Sequence, residues 1–157
     1  MKITFFLIGK TDKEYLKQGM QRYQERISHY IPFQTKVLPD IKRNIKRTEN
    51  EHKKMEGIIL LKSILSSDVL ILFDEQGKEY SSLKFAGFVQ NFMNSGVKHL
   101  VFAIGGPYGF SEDVMRRANF KVSLSKMTFP HQLVRLIILE QFYRAFSIIR
   151  GEPYHHG

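Results

Sequence analysis

His99-Leu100-Val101-Phe102-Ala103-Ile104-Gly105-Gly106-Pro107-Tyr108-Gly109 is the stretch on which the fold class turns. An unbroken apolar run without polar alternation reads as a strand covered on both faces, the signature of a parallel sheet between two helical layers. The glycines and proline then stop it abruptly. Asp68 to Phe73 is a second such run. Between the two, Ser81 or Ser82 caps a helix whose Leu83, Ala86, Val89, Phe92 and Met93 share one face, and Gly96 ends it. Working outward toward the carboxyl end, Ser111 caps a short helix, Val122 to Leu124 forms a last strand, and Pro130 opens a final helix closed by Gly151. Toward the amino end, Lys2 to Ile8 is a strand and Thr11-Asp12-Lys13-Glu14 has capping-box spacing. Tyr15, Leu16, Met20, Tyr23, Ile27 and Tyr30 then recur at helical intervals until Pro32. Gln34 to Leu38 is a short strand, and residues 42 to 54 form a polar loop feeding a helix that runs toward Ser66. Strands alternating with helices imply βαβ units and a mostly parallel sheet, an α/β fold.

The chain has 157 residues and a formal charge of +9. That length fits a single domain, residues 1–157. A hydrophobic content of 43% with 13% aromatics is enough for a real core and excludes wholesale disorder. The absence of cysteine excludes disulfides, a thiolate zinc site and a cysteine nucleophile together. The apolar stretch after Lys2 is too short for a signal peptide and is followed by polar Lys10 to Glu14, and Leu133 to Leu139 falls short of the ~18 apolar residues of a membrane span. A cytosolic protein is expected. A pI near 9.8 then points to a polyanionic partner, nucleic acid being the commonest, although basic surfaces also occur without one.

Two connections are placed for chemistry. Gly105 to Gly109 follows the carboxyl end of a central strand, where open α/β sheets bind ligands. It matches neither the dinucleotide fingerprint nor Walker A, and a plain tight turn explains it equally. Leu124 to His131 joins a strand end to the last helix; Pro130 at its first turn and Thr128 as cap leave amides for a ligand, or simply terminate the helix. That helix is apolar nearly all round apart from Arg135, and one sheet covers one face, so a second copy of the chain is expected on the other. His131 and Arg135, and Glu140 and Arg144, are each one turn apart, a spacing that ordinary helical pairs also have. Glu152 to Gly157 reads as a frayed end. Its adjacent histidines do not make a metal site, and no metal is expected.

Longer motifs carry a resemblance. Ile104-Gly105-Gly106-Pro107-x-Gly109, Leu124-Ser125-Lys126-Met127-Thr128-Phe129-Pro130-His131-Gln132-Leu133-Val134-Arg135, Glu140-Gln141-x-Tyr143-Arg144-Ala145, Gly151-Glu152-Pro153-Tyr154-His155 and the amino-terminal Ile8-Gly9-Lys10 are similar to the ribosomal large-subunit methyltransferase H family, of the SPOUT class. The resemblance spans essentially the whole chain. It implies a SPOUT-type α/β knot: a parallel-rich sheet with helices on both faces and a deep carboxyl-terminal trefoil knot, working as a homodimer. It further implies transfer of a methyl group from S-adenosylmethionine to N3 of a pseudouridine in 23S ribosomal RNA on the assembled ribosome. The family's cofactor contacts fall on Phe73, Gly105 and Leu124, Ser125, Lys126, Met127, Thr128 and Phe129. Phe73 stands where leucine is frequent, and His156-Gly157 follows the Tyr-His pair where a charged residue often does.

On this reading the imide N3 becomes nucleophilic only as its proton leaves, so a base or an anion-stabilising cation is needed beside the methyl donor. His155, Tyr154, Arg135 and Arg144 are the catalytic candidates, the tail orienting the base and the arginines serving phosphate or developing charge. The competing readings are a non-enzymatic basic RNA-binding module and a knotted methyltransferase with another RNA target. Lys13, Lys17, Arg22, Arg26 and the 42-to-54 cluster lie in the amino-terminal half, apart from the glycine turn, and form the expected docking surface for ribosomal RNA.

Overall fold

A computed structural model describes residues 1–42 and 44–157. The elements run β1 (Lys2–Ile8), α1 (Glu14–Ser28), β2 (Phe33–Leu38), α2 (Glu49–Lys62), β3 (Val69–Glu79), α3 (Ser82–Asn94), β4 (His99–Ile104), α4 (Glu112–Arg117), β5 (Phe120–Ser123) and α5 (Leu133–Ile149). The strands form one five-stranded sheet in the order β2-β1-β4-β3-β5, and every pairing is parallel.

Side-chain alternation divides the core between the two faces of this sheet. Ile3, Phe5, Leu7, Ile71, Phe73, Leu100 and Phe102 point to one side, where α1, α3 and α5 bring Met20, Ile27, Phe85, Val89, Ile138 and Phe142. Phe6, Ile8, Leu70, Leu72, Val101 and Ala103 point to the other, against Leu60 of α2 and Val114 of α4. Phe142 is the hub of the larger side, its ring edge-on to Phe102 at 4.7 Å and to Phe5 at 6.0 Å. Truncating such a fully buried ring to alanine costs roughly 3–5 kcal/mol.

Several local expectations give way to particular contacts. Thr11 does not cap α1: Lys13 holds that position without a side-chain cap, because the Thr11 hydroxyl is buried, accepts from Arg135 and donates to Met20 Sδ. A complete capping box forms instead inside the stretch read as loop, where Glu51 N–H donates to Thr48 Oγ1 at 3.1 Å and Thr48 N–H to Glu51 Oε2 at 3.2 Å. The helix so started ends at Lys62, short of Ser66. α5 begins at Leu133 rather than Pro130, with Gln132 at its cap, so Thr128 caps nothing. Tyr15 and Leu83, assigned to inward helix faces, are 68% and 53% exposed. The last strand is Phe120–Ser123, one residue short of Leu124. β3 does not stop at Phe73 but continues to Glu79. The flanks of the apolar α5 are packed by α1 and α3 within the same chain, leaving Leu136, Ile137, Tyr143, Ile148 and Ile149 half-buried.

Candidate functional site

The middle of β3 at Phe73–Glu75 and the carboxyl end of β4 open onto a cavity of ≈ 280 Å³, close to the lower bound of the ~300–1,000 Å³ usual for small-molecule sites. One wall is the glycine turn. Gly109 N–H donates to Gly106 O at 3.1 Å, the two residues form an isolated antiparallel bridge, and Gly109 takes φ +81°, which favours glycine. The turn doubles back so tightly that a Cβ on Gly105 would lie 3.1 Å from the Gly109 carbonyl carbon. The opposite wall is the connection after β5, where Met127 N–H donates to Ser125 Oγ at 2.9 Å. Phe73 supplies the third side. Phe73, Gly105, Leu124, Ser125, Met127, Thr128 and Phe129 thus meet around one space, while Lys126 is exposed and does not line it. Met127 and Phe129 are 78% and 38% exposed, apolar groups at the rim that a ligand would cover. A neighbouring cavity of ≈ 200 Å³ shares Phe73, Leu124 and Phe129 with the first.

Asp74 and Glu75 also line the main cavity and were not singled out from the sequence; His131, the end of the candidate connection from Leu124, lines it too. The carboxylates reach the cavity because β3 bulges. Its pairing with β5 passes from Phe73–Val122 directly to Lys78–Val122, so residues 74–77 loop out of register. Gly77 permits this, since a Cβ there would lie 2.6 Å from the Val122 backbone. Carboxylates placed immediately after an apolar strand were the available sequence signal. Partial burial first, and then the Arg135 guanidinium, draw the His131 pKa below its ordinary 6.5 against the pull of Asp40 and Asp12, which favours the neutral ring.

Arg135, the charge in the apolar helix, is 2% exposed. Its guanidinium donates to Ile8 O at 2.6 Å, Gly9 O at 2.8 Å and Thr11 Oγ1 at 3.1 Å, satisfying the end of β1. Arg144, Tyr154 and His155 assemble on the other side of α5 around Glu140. Arg144 Nε and Nη2 donate to Glu140 Oε1 at 3.0 and 2.5 Å, Tyr154 Oη donates to the same oxygen at 3.1 Å, and Arg144 Nη1 donates to His155 Nδ1 at 3.2 Å. The tail is therefore tied to the helix rather than frayed. Since guanidinium nitrogen only donates, His155 Nδ1 accepts, and the neutral ring carries its proton on Nε2. Burial, then Tyr23 and the Glu140 carboxylate, push the Tyr154 phenol well above its ordinary value. None of these three residues lines the cavity of its own chain.

Asp40, His52 and Glu56 each offer one potential ligand atom within 4.8 Å of the others. His52 Nε2 and Glu56 Oε1 bond one another directly at 2.9 Å, and Asp40 is exposed beside them. No described helix is long and apolar enough to cross a membrane.

A family model described as "Predicted SPOUT methyltransferase" matches residues 1–155. Proteins named Ribosomal RNA large subunit methyltransferase H are similar along their whole length. The one from Christiangramia forsetii is 50% identical over 156 residues, covering 99% of each chain. Those from Flavobacterium johnsoniae and Parabacteroides distasonis are 51% and 49% identical, again over 99% of each. A parallel α/β sheet with a glycine-turned cavity at its carboxyl edge and a family match over nearly its full length place this chain in the SPOUT methyltransferase family.

Proposed function

We propose that the protein transfers a methyl group from S-adenosylmethionine to N3 of a pseudouridine in 23S ribosomal RNA, acting in the cytoplasm on the assembled ribosome. The observation that carries the proposal is the meeting of the glycine turn and the Leu124–Phe129 connection as two walls of one cavity. The donor supplies, when bound, an electrophilic sulfonium methyl. The residues suit it: Phe73, Ile104, Leu124 and Phe129 offer apolar surface to a purine, and Asp74 and Glu75 offer acceptors to hydroxyls or an ammonium. The whole chain acts as one domain, 1–157, in which the carboxyl-terminal segment is threaded as a trefoil knot.

The hydrogen bonds within the tail support a donor role for it. His155 presents Nε2–H to the imide anion as N3 gives up its proton to solvent, while Tyr154, its one proton engaged by Glu140, anchors the tail. Positioning the two reactants supplies most of the barrier reduction, an effect that reaches ~7–11 kcal/mol. Because Tyr154, His155 and Arg144 stand away from their own cavity, a homodimer whose partner tail reaches across completes each site. The half-buried face of α5 is the surface for that contact. Arg135 serves as a fixed positive charge beneath the site.

Isothermal titration with S-adenosylmethionine, followed by mass-spectrometric mapping of ribosomal RNA from a deletion strain, tests the reading. Saturable binding and the loss of one N3-methylated pseudouridine are expected. Absence of binding heat would favour a basic RNA-binding module instead, and a missing methyl group on another RNA would reassign the target. Substituting His155 by Ala should depress methyl transfer without weakening donor binding; near-normal turnover would remove it from the chemistry.

A further inference from the structure

The glycine turn is a partition. On one side lies the main cavity; on the other Gly105 and Gly109 border a space of only ≈ 10 Å³ whose remaining walls include Lys53, Glu56 and Gly57 of α2. Glu56 and His52 there are each 4% exposed and bonded to one another at 2.9 Å. The His52 ring also stands edge-on to Tyr108 of the turn, centroids 5.3 Å apart. The Glu56 carboxylate faces Gly106 at very short range. A Cβ built on Gly106 would lie 2.6 Å from Oε2, 2.7 Å from Oε1 and 3.0 Å from Cδ. Gly106 is not among the glycines with positive φ, so its backbone conformation does not demand glycine; the carboxylate does. Displacing the carboxylate would strain its bond to His52, and both side chains are buried. α2 cannot retreat sideways either, because Gly57 abuts Ser111 and Val114, with no room for a Cβ.

We infer that Glu56 is a positioning residue for the methyl-donor site: braced by His52, its carboxylate supports the Gly105–Gly109 turn from behind, and Gly106 is glycine because that carboxylate fills the place of its side chain. The inference rests on the cavity being the donor site. Its prediction is a specific non-additivity. Titration of the full-length protein with S-adenosylmethionine should show Gly106→Ala weakening binding about tenfold and Glu56→Ala about threefold, while in the double variant the added methyl costs less than about twofold beyond Glu56→Ala, as expected for two residues in contact. Glu56→Asp withdraws the carboxylate by one methylene yet keeps a partner for His52. Should Glu56→Ala melt, the pair Glu56→Asp and Gly106→Ala/Glu56→Asp decides the matter by the same partial recovery. In turnover on ribosomes, Gly106→Ala should raise KM for the donor and leave kcat at saturating donor within about twofold. A Gly106→Ala protein that binds the donor normally, or a penalty unchanged by removing or shortening Glu56, overturns the inference. Failure of the unsubstituted protein to bind the donor would overturn the methyltransferase reading itself.

Discussion

At Arg135 a guanidinium that is 2% exposed donates to the carbonyls of Ile8 and Gly9 and to the Thr11 hydroxyl. Sequence alone marks it as the odd charge in an apolar helix but cannot supply its partners, which lie more than a hundred positions upstream. Nor can it reveal that Thr11, a plausible helix cap, is already engaged. A lysine ammonium lacks the planar fork that reaches several acceptors at once. Arg135→Lys should therefore lower stability by roughly 2–3 kcal/mol in urea denaturation, the scale of charge-assisted hydrogen bonds left unmade; a change under about 0.5 kcal/mol would show the network to be dispensable. Glu56 gives the opposite kind of test. Burial raises its pKa above the ordinary 4.5, outweighing the attraction of His52, with Asp40 adding to the rise. The folded state thus binds the proton more tightly than the unfolded one, and the associated stability is complete below 4.5 and lost as pH rises through the folded value. The melting temperature of Glu56→Gln relative to the unsubstituted protein should accordingly climb as pH rises from about 4.5. A flat or falling difference would contradict the assigned burial.

Elements buried on both faces were the legible ones. β1 and β4 match their apolar runs because each is sandwiched by helices, and α3 matches because Ser81 Oγ accepts from Lys84 N–H and Gly96 takes φ +80° just beyond the end. The two strand-end connections chosen as candidate loops do converge on one cavity. β3 was cut short for a physical reason: beyond Phe73 it is a continuation with polar side chains, paired to β5 through a register shift that hydrophobic periodicity cannot register. α2 was expected, but its start was placed too late, because its capping box lies within a charged stretch and its buried side includes His52 and Glu56, residues that read as solvent-facing. The bulge makes its own prediction. Gly77→Ala drives a Cβ into the Val122 backbone, so pairing of Lys78 and Glu79 with β5 should be lost. Faster hydrogen exchange along this edge and weaker donor binding, through displaced Asp74 and Glu75, are the expected readouts. Unaltered exchange would mean that the strands slide apart at no cost.

Across the whole molecule the charge of +9 is unevenly placed. Lys13 at the cap of α1 and Lys17 and Arg22 along it are exposed, and Lys42 and Lys46 are exposed before α2, where Arg47 donates to Lys42 O at 3.0 Å; Arg43 lies outside the described residues. None of the described ones lines the main cavity. Replacing Lys42, Arg43, Lys46 and Arg47 by Ser should weaken ribosome binding and flatten its dependence on salt by roughly 0.7–0.9 in the log–log slope for every phosphate that is no longer neutralised. Donor affinity should stay the same; an unchanged salt slope would move the docking surface elsewhere. The bond between Arg135 and Ile8 also sets a condition on how the protein is made. The two residues are 127 positions apart, and β1 must further wait for β4, its neighbour in the sheet. The first strand to leave the ribosome is thus among the last to be completed. Loop closures of that length are slow, placing the chain among folders of milliseconds to seconds rather than microseconds. Synthesis halted before α5 leaves all five strands made but the sheet face under Phe142 uncovered and the Ile8 and Gly9 carbonyls without Arg135, an apolar surface for chaperones to guard.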